Sequence, residues 1–189
     1  MSRKVVQYGA GNIGRSLVGQ IFSAAGWEVV FVDVVSEVIN ALNTRNSYRI
    51  LVKEEVSSEI VVEGVRGING ADAEAVAAEI ADCDLLCTAL GPAILPKVVP
   101  TIARGIEKRT TPLDIVLCEN LRGAPDIVRG ILRENLPTGF PVDERVGLIA
   151  TSIGKMVPIM PVEVRERDPL EVWAEAYNRI VADRHGFIA

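Results

Sequence analysis

Residues 9–14 read Gly-Ala-Gly-Asn-Ile-Gly. They stand between an apolar run, Lys4-Val5-Val6-Gln7-Tyr8, and a stretch in which Ile13, Leu17, Val18, Ile21 and Phe22 recur at helical spacing. The first run has the character of a buried strand and the second that of a helix with one apolar face, so the glycines form the turn between them. Each glycine has a separate physical task in such a turn: Gly9 permits the sharp bend, Gly11 lets a pyrophosphate approach the backbone, and Gly14 lets helix and strand pack closely. The amides at the helix start, with the partial positive charge of the helix, suit an anion. A glycine turn with no ligand is the simpler reading of the motif taken alone. The next strand signal adds to it. Residues 27–32 are apolar and end at Asp33, nineteen residues past Gly14, where a dinucleotide-binding unit places the acid that accepts from the adenosine ribose. A capping or loop carboxylate is the alternative for Asp33 by itself.

A carboxylate at that strand end accepts from a 2′ hydroxyl and repels a 2′ phosphate, whose accommodation usually needs an arginine. Val34, Val35 and Ser36 supply no cation, and Arg45 lies a helix further on. The expected cofactor is therefore NAD rather than NADP.

Strand and helix signals alternate over most of the 189 residues, which implies an α/β, doubly wound, mostly parallel sheet of Rossmann type. Ser36 is placed to cap a helix carrying Val38, Ile39, Ala41 and Leu42. Residues 48–52 and 59–64 alternate apolar and polar side chains and read as a small antiparallel pair. Helices are expected over 71–81, 94–108 and 125–135, and strands over 84–88, 114–118 and 146–150. The two prolines in the Val157–Pro161 stretch cannot serve a central strand. Residues 162–167 and 170–177 alternate enough to be strands, the second also reading as a helix. The chain thus divides into a dinucleotide-binding domain over 1–150 and a short β extension over 151–189.

Charge and composition limit the function classes. A net charge of −5 leaves no basic footprint for nucleic acid or an anionic membrane. No apolar run approaches the ~20 residues that cross a bilayer, and the chain enters a strand almost at once, with no secretory signal. The odd set Cys83, Cys87 and Cys118, in or beside apolar runs, suits reduced, buried thiols of a cytoplasmic protein rather than a metal site.

In an open sheet of this type ligands bind beyond the carboxyl ends of the strands, so the strands ending near Tyr8, Asp33, Thr88 and Cys118 should line one crevice. The expected cofactor contacts are Tyr8, Gly9, Ala10, Gly11, Asn12, Ile13 and Gly14 in the first turn, Asp33 on the second strand, and Thr88, Ala89 and Gly91 where small residues would let the ribose and nicotinamide pass. An ordinary strand-ending turn is the alternative for the last group. In Cys118-Glu119-Asn120, the Asn120 amide would donate to a developing oxyanion or cap the following helix. Glu119 is open to reading as a substrate ligand, a base or an ion-pair partner.

Taken together, Tyr8-Gly9-Ala10-Gly11-Asn12-Ile13-Gly14-Arg15, Thr88-Ala89-Leu90-Gly91-Pro92 and Cys118-Glu119-Asn120-Leu121 resemble the N-terminal domain of the mannitol dehydrogenase family of polyol-specific long-chain dehydrogenases. The likeness runs in order through essentially the whole chain, including residues 43–48 and 168–172. It implies NAD-linked interconversion of a polyol or polyol phosphate and a ketose or ketose phosphate, mannitol 1-phosphate and fructose 6-phosphate in particular. It also implies that Asn120 helps hold the oxyanion at the reacting carbon, beside its place in the cofactor site, and that a C-terminal catalytic domain in cis supplies the lysine base. The 189 residues contain no matching lysine motif; Lys155 and His185 do not have its spacing. Ile153-Gly154-Lys155-Met156-Val157-Pro158 departs from the family's Val-Asp-Arg-Ile-Val-Pro. The chain alone is then expected to bind NAD without turnover. A stand-alone NAD(H)-binding module, serving as a sensor or beside a separate catalytic subunit, is the other reading.

Overall fold

Apolar residues fill both faces of the central strands, and that pattern requires a sheet covered on both sides. The computed structural model, which describes residues 2–158 and 160–189, has this arrangement. Seven strands form the main sheet in the order β10-β8-β7-β6-β1-β2-β5: β1 (Lys4–Tyr8), β2 (Glu28–Asp33), β5 (Val65–Asn69), β6 (Leu85–Thr88), β7 (Leu113–Leu117), β8 (Val146–Ile153) and β10 (Ile180–Ala182). All neighbours run parallel except β10, which pairs antiparallel with β8. The chain winds outward from β1 in both directions, so the topological switch lies between β1 and β6.

One face of the sheet is covered by α3 (Ala73–Asp82), α4 (Leu95–Glu107) and α5 (Ala124–Asn135). Leu95, Val99, Ile102, Ala103 and Ile106 make one stripe along α4, and all are buried. Fully burying each of the larger aliphatic side chains stabilises the fold by about 1.5–3 kcal/mol. Asp72 starts α3 by accepting from the Ala75 amide at 3.0 Å. The other face carries the first helix, which is wound as π turns over Gly14–Gly19 before continuing as α1 (Gln20–Ala24), and α2 (Ser36–Arg45). A separate three-stranded sheet lies on this side, in the order β4-β3-β9. Its antiparallel pair, β3 (Ser47–Val52) and β4 (Ser58–Glu63), was anticipated from the alternation, while β9 (Val172–Ala174) joins β3 in parallel from the far end of the chain.

Several expectations need correction. Ser36 is the first residue of α2, not its cap; Val35 holds the cap position without a side-chain bond. Residues 162–167 form a helix, α7 (Val162–Arg167), opened by Pro161, and not a strand. Only 172–174 of the 170–177 stretch are strand. The expected extension is therefore mixed, and its two strands join different sheets. Strand β8 also continues past residue 150 to Ile153. Ile159 lies outside the described residues.

Arg66 on β5 ties the amino-terminal ends of several elements together. It donates to both oxygens of Glu79 on α3 at 2.8 Å and to Glu28 on β2 at 2.6 Å, while Lys4 reaches the same Glu79 at 3.0 Å. Burial pushes the Glu79 carboxyl up, but bonds from Arg66 and Lys4 outweigh it and leave it below its usual value. A depressed carboxyl contributes stability above its unfolded pKa and loses it as pH falls through the folded one. Urea midpoints followed downward from neutral pH should therefore fall at acid pH, and E79Q should flatten that fall while lowering the midpoint at neutrality. Parallel curves for the two proteins would exclude this role for Glu79.

Candidate dinucleotide site

Strand β1 ends at Tyr8, and the chain must turn at once to start a helix over the same sheet. Gly9 makes the turn with φ +100°; a Cβ there would meet the Ala89 carbonyl oxygen at 2.5 Å. At Gly14 a Cβ would overlap the Gly9 carbonyl oxygen, so the helix presses directly on the turn. Above Gly11 there is open space: nothing stands within 4 Å of where its Cβ would be. Gly9 thus makes the sharp turn, Gly14 stands at a close backbone contact, and Gly11 faces open space.

Neighbouring strand ends hold this turn by hydrogen bonds that continue the sheet. The Gly9 amide donates to the Val32 carbonyl at 2.7 Å, the Ala89 amide to Tyr8 at 2.9 Å, and the Cys118 amide to Thr88 at 2.9 Å. Asp33 accepts from the Ala10 amide at 2.7 Å through one carboxylate oxygen and from the Val35 amide at 3.1 Å through the other. A carboxylate has about four acceptor sites, so these bonds leave capacity for a ribose hydroxyl. The turn, Asp33 and the Thr88–Gly91 segment therefore share one edge of the sheet, at the carboxyl ends of the strands beside the switch. The first amides of a helix have no acceptor within it, and this helix starts directly after the open position at Gly11. These residues fit a dinucleotide.

Three buried polar residues support the site from below. Gln7, fully buried in the middle of β1, donates to the carbonyls of Tyr8 and Gly9 at 2.9 and 3.0 Å. Arg15, only 5% exposed, donates to the Pro169 carbonyl at 2.7 Å, and its own carbonyl accepts from the Tyr48 hydroxyl at 2.6 Å. Burial lowers the proton affinity of Arg15. A polar residue inside an apolar strand, and an arginine following the last glycine, were the signals for the first two; Tyr48 had none.

Asn120 does not cap the helix that follows it. It takes a left-handed backbone with φ 52°, and the cap of α5 is Gly123. Its side chain instead clasps the end of β8, donating to the Ile153 carbonyl at 2.8 Å and accepting from the Ile153 amide at 2.7 Å. One amide proton remains uncommitted by this pair. Glu119 beside it is buried and bonded to Thr88 and Leu90. Lys155 is 7% exposed and donates to the Tyr177 carbonyl at 2.8 Å. The three cysteines are free and buried; burial pushes the Cys83 thiol to about 11 and the Cys118 thiol to about 12.

Two further hollows bear on the site. The expectation that no cation lies near Asp33 rested on sequence neighbours, and the fold changes it. Arg15 and Arg165 line a hollow of about 430 Å³ together with Val35, though Glu37 and Glu166 line it too and offset their charge. A second hollow, about 750 Å³, lies around Trp27, Glu28 and Arg66 at the amino ends of the strands, the wrong end of the sheet for this chemistry.

The strand order, the glycine turn and the acid on β2 define a doubly wound dinucleotide-binding protein. Residues 3–189 match the family model of the mannitol dehydrogenase Rossmann domain, and the chain belongs to that family. A mannitol-1-phosphate 5-dehydrogenase of Brevibacillus brevis is 38% identical over 184 residues, covering 94% of this chain and 47% of that protein. One of Lactiplantibacillus plantarum is 37% identical over 187 residues, covering 95% and 48%. The chain therefore spans about half the length of these relatives. Among solved structures, octopine dehydrogenase with NADH and L-arginine shares the fold, with a TM-score of 0.69 at 17% identity over 96% of this chain and 41% of that one. Among the described residues, no helix is long and apolar enough to cross a membrane.

Replacing Asn120 by alanine removes both bonds to Ile153 and leaves two backbone groups without their partner. At about 1–1.5 kcal/mol for each lost bond, the variant should be some 2–3 kcal/mol less stable in a denaturant titration. Unchanged stability would show that the clasp contributes nothing.

Proposed function

We propose that this chain is the NAD-binding portion of an oxidoreductase that interconverts a polyol phosphate and a ketose phosphate, mannitol 1-phosphate and fructose 6-phosphate being the pair its relatives suggest. The carrying observation is the open approach over Gly11, closed in by Gly9, Gly14 and the Asp33 carboxylate. When bound, the nicotinamide ring accepts or returns the hydride of the polyol carbon. Residues Gly9 to Gly14, with Ala10, Asn12 and Ile13 between them, hold the pyrophosphate against helix-start amides. Asp33 accepts from the adenosine ribose. Thr88, Ala89 and Gly91, continuing from Tyr8 across the switch, leave the backbone low enough for the nicotinamide half to lie over them.

Asn120, with its side chain fixed by Ile153, keeps one N–H for the carbonyl oxygen of the substrate. Such a donor adds a few kcal/mol of transition-state stabilisation when its geometry is fixed beforehand. The base belongs to a C-terminal catalytic domain in cis, toward which residues 151–189 lead from the dinucleotide-binding domain over 1–150. Three buried free thiols suit a reducing, cytoplasmic setting.

Isothermal titration tests the reading. The 189-residue protein should bind NAD at least about tenfold, or about 1.4 kcal/mol, more tightly than NADP. Gly11→Val should abolish NAD binding with an unchanged circular dichroism spectrum, because its side chain enters space that is otherwise open. Equal binding by this variant would make the turn purely structural. Mannitol 1-phosphate oxidation followed by NADH absorbance should be negligible, since general-base help is worth about 10²–10⁴ in rate. Robust turnover would overturn the assignment of the base to another domain and bring Lys155 and His185 back into consideration.

A further inference from the structure

We infer that Glu119 sets the preference of the crevice for the oxidised, positively charged nicotinamide cofactor over the reduced one, an inference that rests on the dinucleotide reading above. Glu119 follows β7 directly after Cys118, at the strand's carboxyl end, and is 8% exposed. One carboxylate oxygen accepts from the Thr88 hydroxyl at 2.9 Å and the other from the Leu90 amide at 3.2 Å. The carboxylate thus bridges the ends of β6 and β7. This is the half of the crevice beyond the switch from Asp33, where the nicotinamide ring of a dinucleotide extended from the glycine turn would lie.

Among the described residues, no cation is paired with Glu119. Burial pushes its carboxyl up, the Leu90 amide and Thr88 hydroxyl only partly offset that, and no cation contributes. The titratable groups facing it are thiols, Cys87 on β6 and Cys118 beside it, and burial pushes both up. An unpaired anion in such a place attracts a nearby cation more strongly than it would in water. The oxidised nicotinamide ring carries that positive charge and the reduced ring does not.

The proton follows from the same geometry. A carboxyl raised by burial holds its proton to higher pH than an exposed one, and a cation arriving beside it favours the ionised form. Binding of the oxidised cofactor therefore releases a proton, and its affinity rises with pH through the carboxyl's titration. Binding of the reduced cofactor has no such dependence.

E119Q is the discriminating variant. Its amide oxygen can still accept from Leu90 and its NH₂ can donate to the Thr88 hydroxyl, so the hydrogen bonds survive while the charge is lost. NAD+ and NADH are each titrated calorimetrically into the native protein and E119Q at an acid pH and at a higher one, above neutrality. At the higher pH, E119Q should bind NAD+ roughly tenfold more weakly and NADH within about twofold of native. The native protein should also release a proton on binding NAD+, read from the dependence of binding heat on buffer ionisation, and none on binding NADH. Both forms binding with the same ratio in native and variant protein would overturn the inference alone. Absence of proton release from the native protein would do the same if E119Q failed to fold. Binding of neither form to the native protein would overturn the dinucleotide reading itself.

Discussion

The first helix can lie against the first strand only because two positions carry no side chain. A Cβ at Gly14 would occupy the place of the Gly9 carbonyl oxygen, and one at Gly9 would meet the Ala89 carbonyl oxygen at 2.5 Å. Such overlaps cannot be relieved by a rotamer change, because the opposing atoms are backbone. The contact fixes where the helix begins, and hence where its amides converge. It also brings the β6 end against the β1 turn, so that the crevice has a floor. Asp33 then locks the second strand to the same turn through the Ala10 amide. The open space over Gly11 is what remains once these contacts are made.

The carboxyl-terminal segment serves the same helix from the opposite side. Arg15 reaches Pro169, Arg45 pairs with Asp168 at 2.6 Å, and β9 extends the sheet that begins with β3. The Tyr48 hydroxyl on β3 donates to the Arg15 carbonyl, so the small sheet, the tail and the dinucleotide helix meet at one residue. Buried guanidinium groups are expensive to desolvate and require partners. The Nε of Arg15 has no hydrogen-bond partner among the described residues, which makes this junction costly and dependent on the tail staying in place. A short tail of three-residue strands is stable here because each strand docks on a longer one.

Periodicity made the central part legible. The strands at residues 4–8, 28–33, 85–88 and 113–117 are apolar on both faces, and the helices between them carry clear apolar stripes, so local pattern and tertiary burial agree. It failed where partner and pattern diverge. Residues 162–167 read Val-Glu-Val-Arg-Glu-Arg, which alternates like a strand, yet no sheet edge accepts them and Pro161 starts a helix. The opposite error hid β5: Val65-Arg66-Gly67-Ile68-Asn69 carries a glycine and a charge, but Gly67 is there because Ile39 of α2 packs 2.9 Å from its would-be Cβ. Asn120 was placed at the correct edge, but its clasp on Ile153 joins residues 33 apart, and no local rule predicts that.

The two carboxylates of the crevice illustrate how one functional group serves two ends of a ligand. Asp33 is partly buried and already accepts two backbone amides, so water screens more of its charge than that of Glu119, and in the proposed reading it serves a ligand by directional acceptance from a hydroxyl. Glu119 shares its oxygens with a hydroxyl and an amide as Asp33 shares its own with two amides, but it is buried, so little of its carboxylate is open to a ligand's bond. Its remaining influence is therefore field rather than hydrogen bond. Exchanging the two environments would invert the roles: a buried acid at residue 33 would repel the nearby pyrophosphate, and an exposed one at residue 119 would exert little pull on a cationic ring. The sequence supplies an acid at each strand end, and in the proposed reading burial decides which one binds and which one polarises.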